Sequence, residues 1–338
     1  MGTAWIVALG LVGSSPAQAQ SGAPDTWVVP RTPDGHPDLQ GSWTNGTLTP
    51  FERRRGQGPV FTSDEVDAME RRAEASTVAD AQPSDPDRAA PPAGVAIRSY
   101  NLVYLNGGDR VAVVNGEPRS SLLTTPSNGR MPALTPRGGR RLAEYQAFRR
   151  QFGEADHPEN RPPRERCIFS RSSAGPPMTP NVVYNNNYLI VQTADHVMIM
   201  SEMVHDARVI RMGDGPRLPK HVRPWMGDSR GHWDGDTLVI ETTNLHPEQT
   251  FLFRMPPSED LKVIERLSRV DEETLLYEFT IEDPTTYTES WGGQIPMKAL
   301  NDRLYGYDCH EANYALSNIL RGARYQDRMK NETADTRD

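Results

Sequence analysis

Three residue types that could do chemistry stand side by side near the C-terminus, in the segment YDCHEANYAL. Cys309, His310 and Glu311 could form part of a metal site, a nucleophile with its base, or one half of a disulfide beside a polar pocket. The chain lacks the C-x-x-C-H, paired-cysteine and H-E-x-x-H patterns of haem and zinc sites. We therefore predict no metal and no other cofactor. The alternative is a scattered metal site that joins His205, His232 and His310 with Glu311, because ligands can come from distant strands.

A second cluster is His205-Asp206, followed by Arg208, in the segment HDARVIRM between two strand-like runs. The histidine could exchange protons near neutral pH, the aspartate could orient it, and the arginine could bind an anionic group of a substrate. In the alternative interpretation the segment is a turn, in which Asp206 accepts bonds from backbone amides and Arg208 pairs with Asp206.

The densest cluster is DSRGHW, which contains Asp228, Arg230, His232 and Trp233 just before a predicted hairpin. Loops carried by a rigid sheet commonly hold functional sites. We predict Asp228 and His232 as acid–base residues, and Arg230 and Trp233 as substrate contacts. The alternative is a surface loop that is anchored by the tryptophan and contains an Asp–Arg pair.

Two further substrate contacts are predicted outside these clusters. Asn187 ends a run of three asparagines, which is typical of a turn but could also hydrogen-bond a polyhydroxylated ligand. Tyr314 follows the Cys-His-Glu segment. The chain has no G-x-G-x-x-G, P-loop or G-x-S-x-G motif, so neither a nucleotide cofactor nor lipase-like serine hydrolysis is expected.

The first residues have the pattern of a secretory signal. An apolar run from Ala4 to Val12 is followed by Ala17-Gln18-Ala19, which predicts cleavage before Gln20. The run is too short to span a bilayer stably, and no later segment is apolar enough to do so. We therefore expect residues 1–19 to be a signal peptide and the mature protein to be periplasmic or secreted. A buried N-terminal helix is the alternative.

Export affects the interpretation of the two cysteines. Cys167 and Cys309 are the only ones in the chain, and an oxidising compartment favours a disulfide between them over two free thiols. Such a bond would hold His310 and Glu311 beside a rigid point. Glu311 could then act as a general acid or base, or it could pair with Arg166 in a structural role.

Composition limits both the partners and the fold. The net charge is −8, and an acidic surface repels phosphate backbones, so nucleic acid is not an expected partner. The chain contains 27 glycines and 29 prolines, whereas aromatic residues make up only 7%. This predicts many turns and a β-rich body. The oligomeric state does not follow from these features.

The order of elements predicts one main domain. Residues 20–98 are expected to form an extended arm with one helix, which begins after the cap at Thr62, and a Pro/Ala-rich linker. A second helix is predicted from Thr135-Pro136. Within the main domain, residues 99–320, short alternating runs predict an antiparallel meander. We expect it to close into a lipocalin-like barrel or to form a bent sheet, with a sandwich as the alternative. After a short helix, residues 321–338 are predicted to be a disordered charged tail.

Several segments resemble a family of exported proteins of soil and aquatic bacteria. They include HDAR, GDSRGHWDGDTLVIETTN, EDPTTYT and CHEANYAL, and the likeness extends over roughly residues 35–321. The resemblance implies a bacterial source and export. It implies no activity, cofactor or catalytic residue.

These observations lead to two hypotheses about function. The first is an exported enzyme, a lyase, isomerase or hydrolase, that performs acid–base chemistry on a small molecule in a pocket of the barrel or at the sheet end. In that case the acid–base candidates should converge on one cleft: His205, Asp206, Asp228, His232, His310 and Glu311. The second is a non-catalytic binding protein for an apolar or glycosidic ligand.

Overall fold

The computed structural model describes residues 27–83, 87, 89, 105–169, 175–180, 184–250, 252–311 and 313–335. The side chains of His205 and of residues 333–335 are outside this description. The predicted signal peptide and most of the predicted Pro/Ala-rich linker beyond residue 83 also lie outside the described residues.

Nine strands close into a barrel, which confirms the prediction of a mainly β fold and excludes a sandwich. The strands of the described chain are β1 (Gly41–Thr44), β2 (Val113–Val114), β3 (Glu117–Pro118), β4 (Leu123–Thr125), β5 (Asn187–Gln192), β6 (His196–Ser201), β7 (Ala207–Met212), β8 (Asp228–Asp234), β9 (Thr237–Thr243), β10 (Lys262–Arg269), β11 (Thr274–Glu282) and β12 (Trp291–Ala299). The barrel consists of β1 and β5–β12, while β4 adds to β12 and β2 pairs with β3.

The strand that closes the barrel comes from the segment predicted to be a separate arm. In β1, Trp43 lies opposite Tyr188 of β5 on one side and opposite Ala299 of β12 on the other. Trp43 is buried in the core, and its indole N–H donates to the carbonyl of Leu39 at 3.0 Å. The arm therefore completes the main domain, because β1 pairs with both β5 and β12.

One pairing departs from the predicted antiparallel meander. β7 and β8 run parallel, with Arg211 opposite Arg230. Residues 213–227 must therefore cross the outer face of the barrel to return to the end at which β7 began. This crossover segment contains Gly213 and Gly215 and three prolines, so it has the composition of a long irregular connection and not of a tight hairpin.

The core occupies the barrel lumen. Along β11 the residues predicted to face one side, Leu275, Tyr277, Phe279 and Ile281, are all buried. Trp291 of β12 packs edge-on against Phe279, with ring centroids 6.1 Å apart. Alternation in the sequence thus identifies the inward face correctly.

Among the described residues, three α-helices lie outside the barrel wall: α1 (Ser63–Asp80), α2 (Pro136–Arg149) and α3 (Tyr314–Asp335). The predicted caps are present: Thr62 and Glu65 form a capping box on α1, and the hydroxyl of Thr135 accepts from Gly138 N at 2.9 Å on α2. The third helix continues through most of the tail that the sequence predicts to be disordered. The segment contains no proline, and the i,i+3 pair of Arg324 with Asp327 at 3.0 Å favours the helix.

The two ends of the barrel differ. One end carries the tight turns at residues 193–195, 235–236 and 270–273, and is named the hairpin end. The opposite end carries residues 202–206, 244–261 and 283–290, and is named the loop end. Long connections concentrate at the loop end, where a binding site can be assembled from several segments.

Candidate functional site

Arg208, a predicted substrate contact, lies inside the barrel. Its side chain is 2% exposed and binds both carboxylate oxygens of Glu265, which is 0% exposed, with 2.7 Å from Nη2 to Oε1. The hydroxyl of Tyr277 donates to the same carboxylate at 2.8 Å. Arg208 therefore pairs with a core carboxylate, and not with a substrate or with Asp206. A charge inside a core requires such a bonded partner.

The short segment Gly175–Pro180 occupies the loop end of the lumen. The backbone N–H of Met178 donates to the hydroxyl oxygen of Tyr277 at 2.9 Å, and its carbonyl accepts from Asn45 Nδ2 at 3.3 Å. Asn45 Nδ2 also donates to the hydroxyl oxygen of Tyr188 at 3.2 Å. All of these side chains are completely buried. These buried polar side chains of the lumen thus bind the backbone at Met178.

Asp228 and Arg230 lie on the outer face of β8, and both contact the crossover segment. Asp228 is buried, pairs with Arg211, and accepts from the backbone N–H of Leu218 at 2.7 Å. Arg230 Nη2 donates to the carbonyl of Pro216 at 2.8 Å. The predicted pair between Asp228 and an arginine exists, but its partner is on β7, and its effect is to hold residues 213–227 against the sheet.

His232 and Trp233 lie toward the hairpin end of the same strand. His232 is exposed on the outer face, four residues after Asp228, which corresponds to about 13 Å along a strand. The side chain of Trp233 points to the other face and stacks on His36, with ring centroids 4.7 Å apart. This tryptophan therefore packs against the N-terminal arm, and the segment is a strand and not the surface loop of the alternative interpretation.

The disulfide prediction is confirmed. Cys167 and Cys309 are bonded, with their Cα atoms 5.6 Å apart. His310 and Glu311 are exposed beside it. Arg166 does not pair with Glu311; its Nη1 lies 2.9 Å from Glu248 Oε2 at the loop end.

Asn187 binds a buried carboxylate that the sequence analysis missed. Its Nδ2 donates to Glu202 Oε2 at 3.0 Å, and the backbone N–H of Tyr305 donates to Glu202 Oε1 at 3.0 Å. Burial raises the pKa of Glu202 above its ordinary value. The signal that could have identified it is a lone acidic residue within the apolar run HVMIMSEM.

The remaining predicted residues are dispersed. His205 ends the short 3-10 helix Met203–His205, and its side chain lies outside the described residues. Asp206 follows and is buried, whereas Tyr314 begins α3 and is exposed. The six acid–base candidates therefore belong to three places: the outer face of β8, the disulfide segment and the turn between β6 and β7.

A groove of about 900 Å³ lies between α2, residues 152–165 and the loop from β9 to β10. Aromatic side chains of α2 and its C-terminal extension form one part of its lining, and prolines form others. The lining residues are Tyr145, Phe148, Arg149, Phe152, Glu154, Asp156, His157, Glu159, Asn160, Arg161, Pro162, Pro163, Arg164, Glu165, Pro247, Glu248, Thr250 and Pro256.

Acidic residues outnumber the basic ones in this groove. Five carboxylates line it, against three arginines and one histidine. Arg161 forms ion pairs with Glu165 at 2.7 Å and with Glu154 at 3.3 Å, and Arg164 lies 3.5 Å from Glu165. The acidic excess favours a ligand that is neutral or cationic.

His246, next to the groove wall at Pro247 and Glu248, was also missed by the sequence analysis. Its ring stacks on Trp225 with centroids 3.8 Å apart, and its Nδ1 accepts from the backbone N–H of Glu248 at 3.2 Å. Burial lowers the pKa of His246, so the ring is neutral at pH 7 and its proton is assigned to Nε2 by the hydrogen bond to Nδ1. The sequence LHPE offers no pattern that distinguishes this histidine from the other seven.

Within the described ranges, no group of three or more His, Cys, Asp or Glu side chains is arranged to hold a metal ion. None of the helices there is both long and apolar enough to cross a membrane. No family model, curated protein or solved structure matches the chain.

Proposed function

We propose that the protein is an exported small-molecule-binding protein whose ligand occupies the groove beside α2. The observation that carries the proposal is the exposure of two large aromatic side chains in a concave surface: Phe148 is 55% exposed and Phe152 is 44% exposed. Apolar surface that remains exposed in a concavity commonly marks a ligand site. The volume of the groove falls within the range of about 300 to 1,000 Å³ that small-molecule sites span.

The lining indicates the chemistry of the ligand. Phe148 and Phe152 contact each other at 5.1 Å between ring centroids, so they offer a paired aromatic surface on which a ring of the ligand can pack. Carboxylates such as Glu248, 43% exposed, can accept hydrogen bonds from hydroxyl groups. A small molecule that combines an apolar ring with hydroxyl groups, such as a glycoside, meets both requirements.

Acid–base catalysis at the same groove is the second candidate. His246 supports it, because a neutral imidazole whose remaining proton sits on one nitrogen can donate that proton to a substrate oxygen. Glu248, two residues later, could accept a proton. In this version the protein is a lyase, isomerase or hydrolase without a nucleotide cofactor, and its catalytic groups are His246 and Glu248 in place of His232 and His310.

Export is part of the proposal and is supported by two features. The N-terminal sequence has the pattern of a cleaved signal, and the disulfide between Cys167 and Cys309 is of a kind that persists in oxidising compartments. The proposed location is therefore periplasmic or secreted.

Saturation-transfer NMR on the mature protein tests the binding proposal. Benzyl alcohol and methyl glucoside serve as probes of the apolar and glycosidic classes. We expect at least one to receive magnetisation from the protein, and Phe148→Ser together with Phe152→Ser to remove that transfer. Tyr325→Ser is the matched control, because Tyr325 is 57% exposed on α3 but does not line the groove.

Two outcomes would contradict the proposal: transfer that survives the double substitution, or transfer that is lost equally in the control. A screen of small esters and glycosides for turnover then separates the two candidates. Turnover that disappears in Glu248→Gln, while probe binding persists, establishes the enzyme. Binding without turnover in the native protein would support the non-catalytic binding protein.

A further inference from the structure

A second, smaller pocket lies on the outer face of the barrel and shares no lining residue with the groove. It has a volume of about 200 Å³ and lies where the crossover segment passes over β8 and β9. Its lining comprises Gly213, Asp214, Gly215, Arg217, Arg230, Gly231, His232 and Glu241. The pocket thus contains Arg230, Gly231 and His232 of the DSRGHW segment, which the proposed function leaves unused.

Arg230 is the central cation of this pocket. Its guanidinium donates to two backbone carbonyls, Pro216 at 2.8 Å and Gly213 at 3.4 Å. Its Nε–H is buried and has no hydrogen-bond partner. No carboxylate oxygen of the described residues lies within 4.0 Å of the guanidinium nitrogens of Arg230.

The pocket also contains a second arginine and two carboxylates. Arg217 pairs with Glu241 at 3.3 Å, which neutralises both groups. Asp214 is exposed on the crossover segment. His232 is also exposed, and its ring N–H adds a further donor in either protonation state.

The backbone of the crossover segment passes close to the guanidinium of Arg230. A Cβ atom at Gly215 would lie 2.6 Å from Arg230 Nη1, so a larger residue there would displace the end of this flexible side chain. The backbone N–H of Gly213 donates to the carbonyl of Gly231 at 2.8 Å, which fixes the loop to the strand. Backbone atoms therefore form part of the pocket wall, beside the side chains of Arg230 and His232.

We propose that this pocket binds a small oxyanion, a phosphate, sulfate or carboxylate group, through Arg230 and His232. Guanidinium groups form strong charge-assisted hydrogen bonds with such anions, and their planar fork matches the oxygens. The pocket volume accommodates a tetrahedral oxyanion or the acid group of a small organic molecule. This inference is independent of the groove and of the function proposed for it.

Isothermal titration calorimetry on the mature protein, with inorganic phosphate and separately with acetate, tests the proposal. We expect one or both anions to bind, and His232→Ala to weaken binding by about tenfold through loss of one hydrogen bond. Arg230→Gln should abolish binding. Arg266→Gln is the control, because Arg266 is a 41% exposed arginine that pairs with Asp234 and does not line the pocket.

Two results would overturn the inference: no heat with either anion, or equal losses in His232→Ala and the control. His232→Ala keeps the test decisive if Arg230→Gln unfolds the crossover segment, since His232 is exposed and holds no other element. Phosphate binding without acetate binding would identify a tetrahedral anion as the ligand.

Discussion

The barrel lumen and the groove beside α2 both contain an arginine–carboxylate pair, but the two pairs differ in solvent exposure. In the lumen, Arg208 and Glu265 are 2% and 0% exposed. At the loop end, Arg166 and Glu248 are 16% and 43% exposed, and Glu248 lines the groove. The arginine–carboxylate pair is therefore buried in the lumen and solvent-exposed at the groove.

This difference assigns the two pairs to different roles. Substitution of either partner of the lumen pair by a neutral residue leaves the other as an unpaired buried charge. The carboxylate of the groove pair can exchange its partner for water or a ligand at little cost, because surface ion pairs contribute only about 0 to 1 kcal/mol. Charge inside the lumen therefore serves the fold, and charge in the groove is available for binding.

The largest expected effect breaks the lumen pair. Glu265→Ala leaves Arg208 buried without its carboxylate and should reduce the free energy of unfolding by about 3 to 5 kcal/mol. Urea denaturation followed by tryptophan fluorescence measures the loss. The double variant Arg208→Met with Glu265→Leu removes both charges and should recover most of it. A loss below about 1 kcal/mol in the single variant would place this pair with surface pairs.

The disulfide should have the next largest effect. It closes a loop over a sequence separation of 142 residues, and removing a bond of this kind costs about 2 to 4 kcal/mol. Cys309→Ser should lower the thermal midpoint, and the double variant with Cys167→Ser should lower it by the same amount. Reduction of the native protein should reproduce the shift. An unchanged midpoint would show that Cys167–Cys309 does not constrain the unfolded chain.

The third prediction concerns pH and Glu202, which links β5 to the segment at Tyr305. Because burial raises its pKa in the folded state, the folded protein binds this proton more tightly than the unfolded chain does. The resulting stability is complete below the ordinary value of 4.5 and is lost as pH rises through the raised value. Glu202→Gln should therefore remove a decline in stability that starts near pH 4.5.

Urea denaturation of both proteins between pH 4 and pH 8 measures this difference, which should be smaller than the effect of the disulfide. The glutamine keeps an oxygen that can accept from the backbone N–H of Tyr305, so the contact is retained. Stability curves that stay parallel for Glu202→Gln and the native protein would contradict the raised pKa.

The smallest effect is expected from the groove pair. Glu248→Gln should change the free energy of unfolding by less than about 1 kcal/mol, since the carboxylate is partly solvated. Measured beside Glu265→Ala, it provides the direct comparison of the two regions. A loss as large as that of Glu265→Ala would show that Glu248 is structural and would remove it from the candidate site.

Sequence patterns predicted the structural features that depend on residues close together in the chain. Alternation in LLYEFTIE identified the inward face of β11, and the cap at Thr62 identified the start of α1. These signals are local, because side-chain direction in a strand and capping of a helix involve residues only a few positions apart. The candidate site was predicted less well, since the clusters at residues 205–208 and 228–233 combine suitable residue types without indicating which face each occupies.

By itself, the sequence determined a β-rich chain with a single possible disulfide, because alternation and the number of cysteines are properties of the chain alone. Only the tertiary structure decided that Arg208 meets Glu265, 57 residues later, and that β8 turns Asp228 and Arg230 outward under the crossover. It also brought His246 onto Trp225 beside the groove. These contacts depend on barrel closure and on the parallel return of β8, and no local pattern contains that information because the interacting residues become neighbours only when the strands pair.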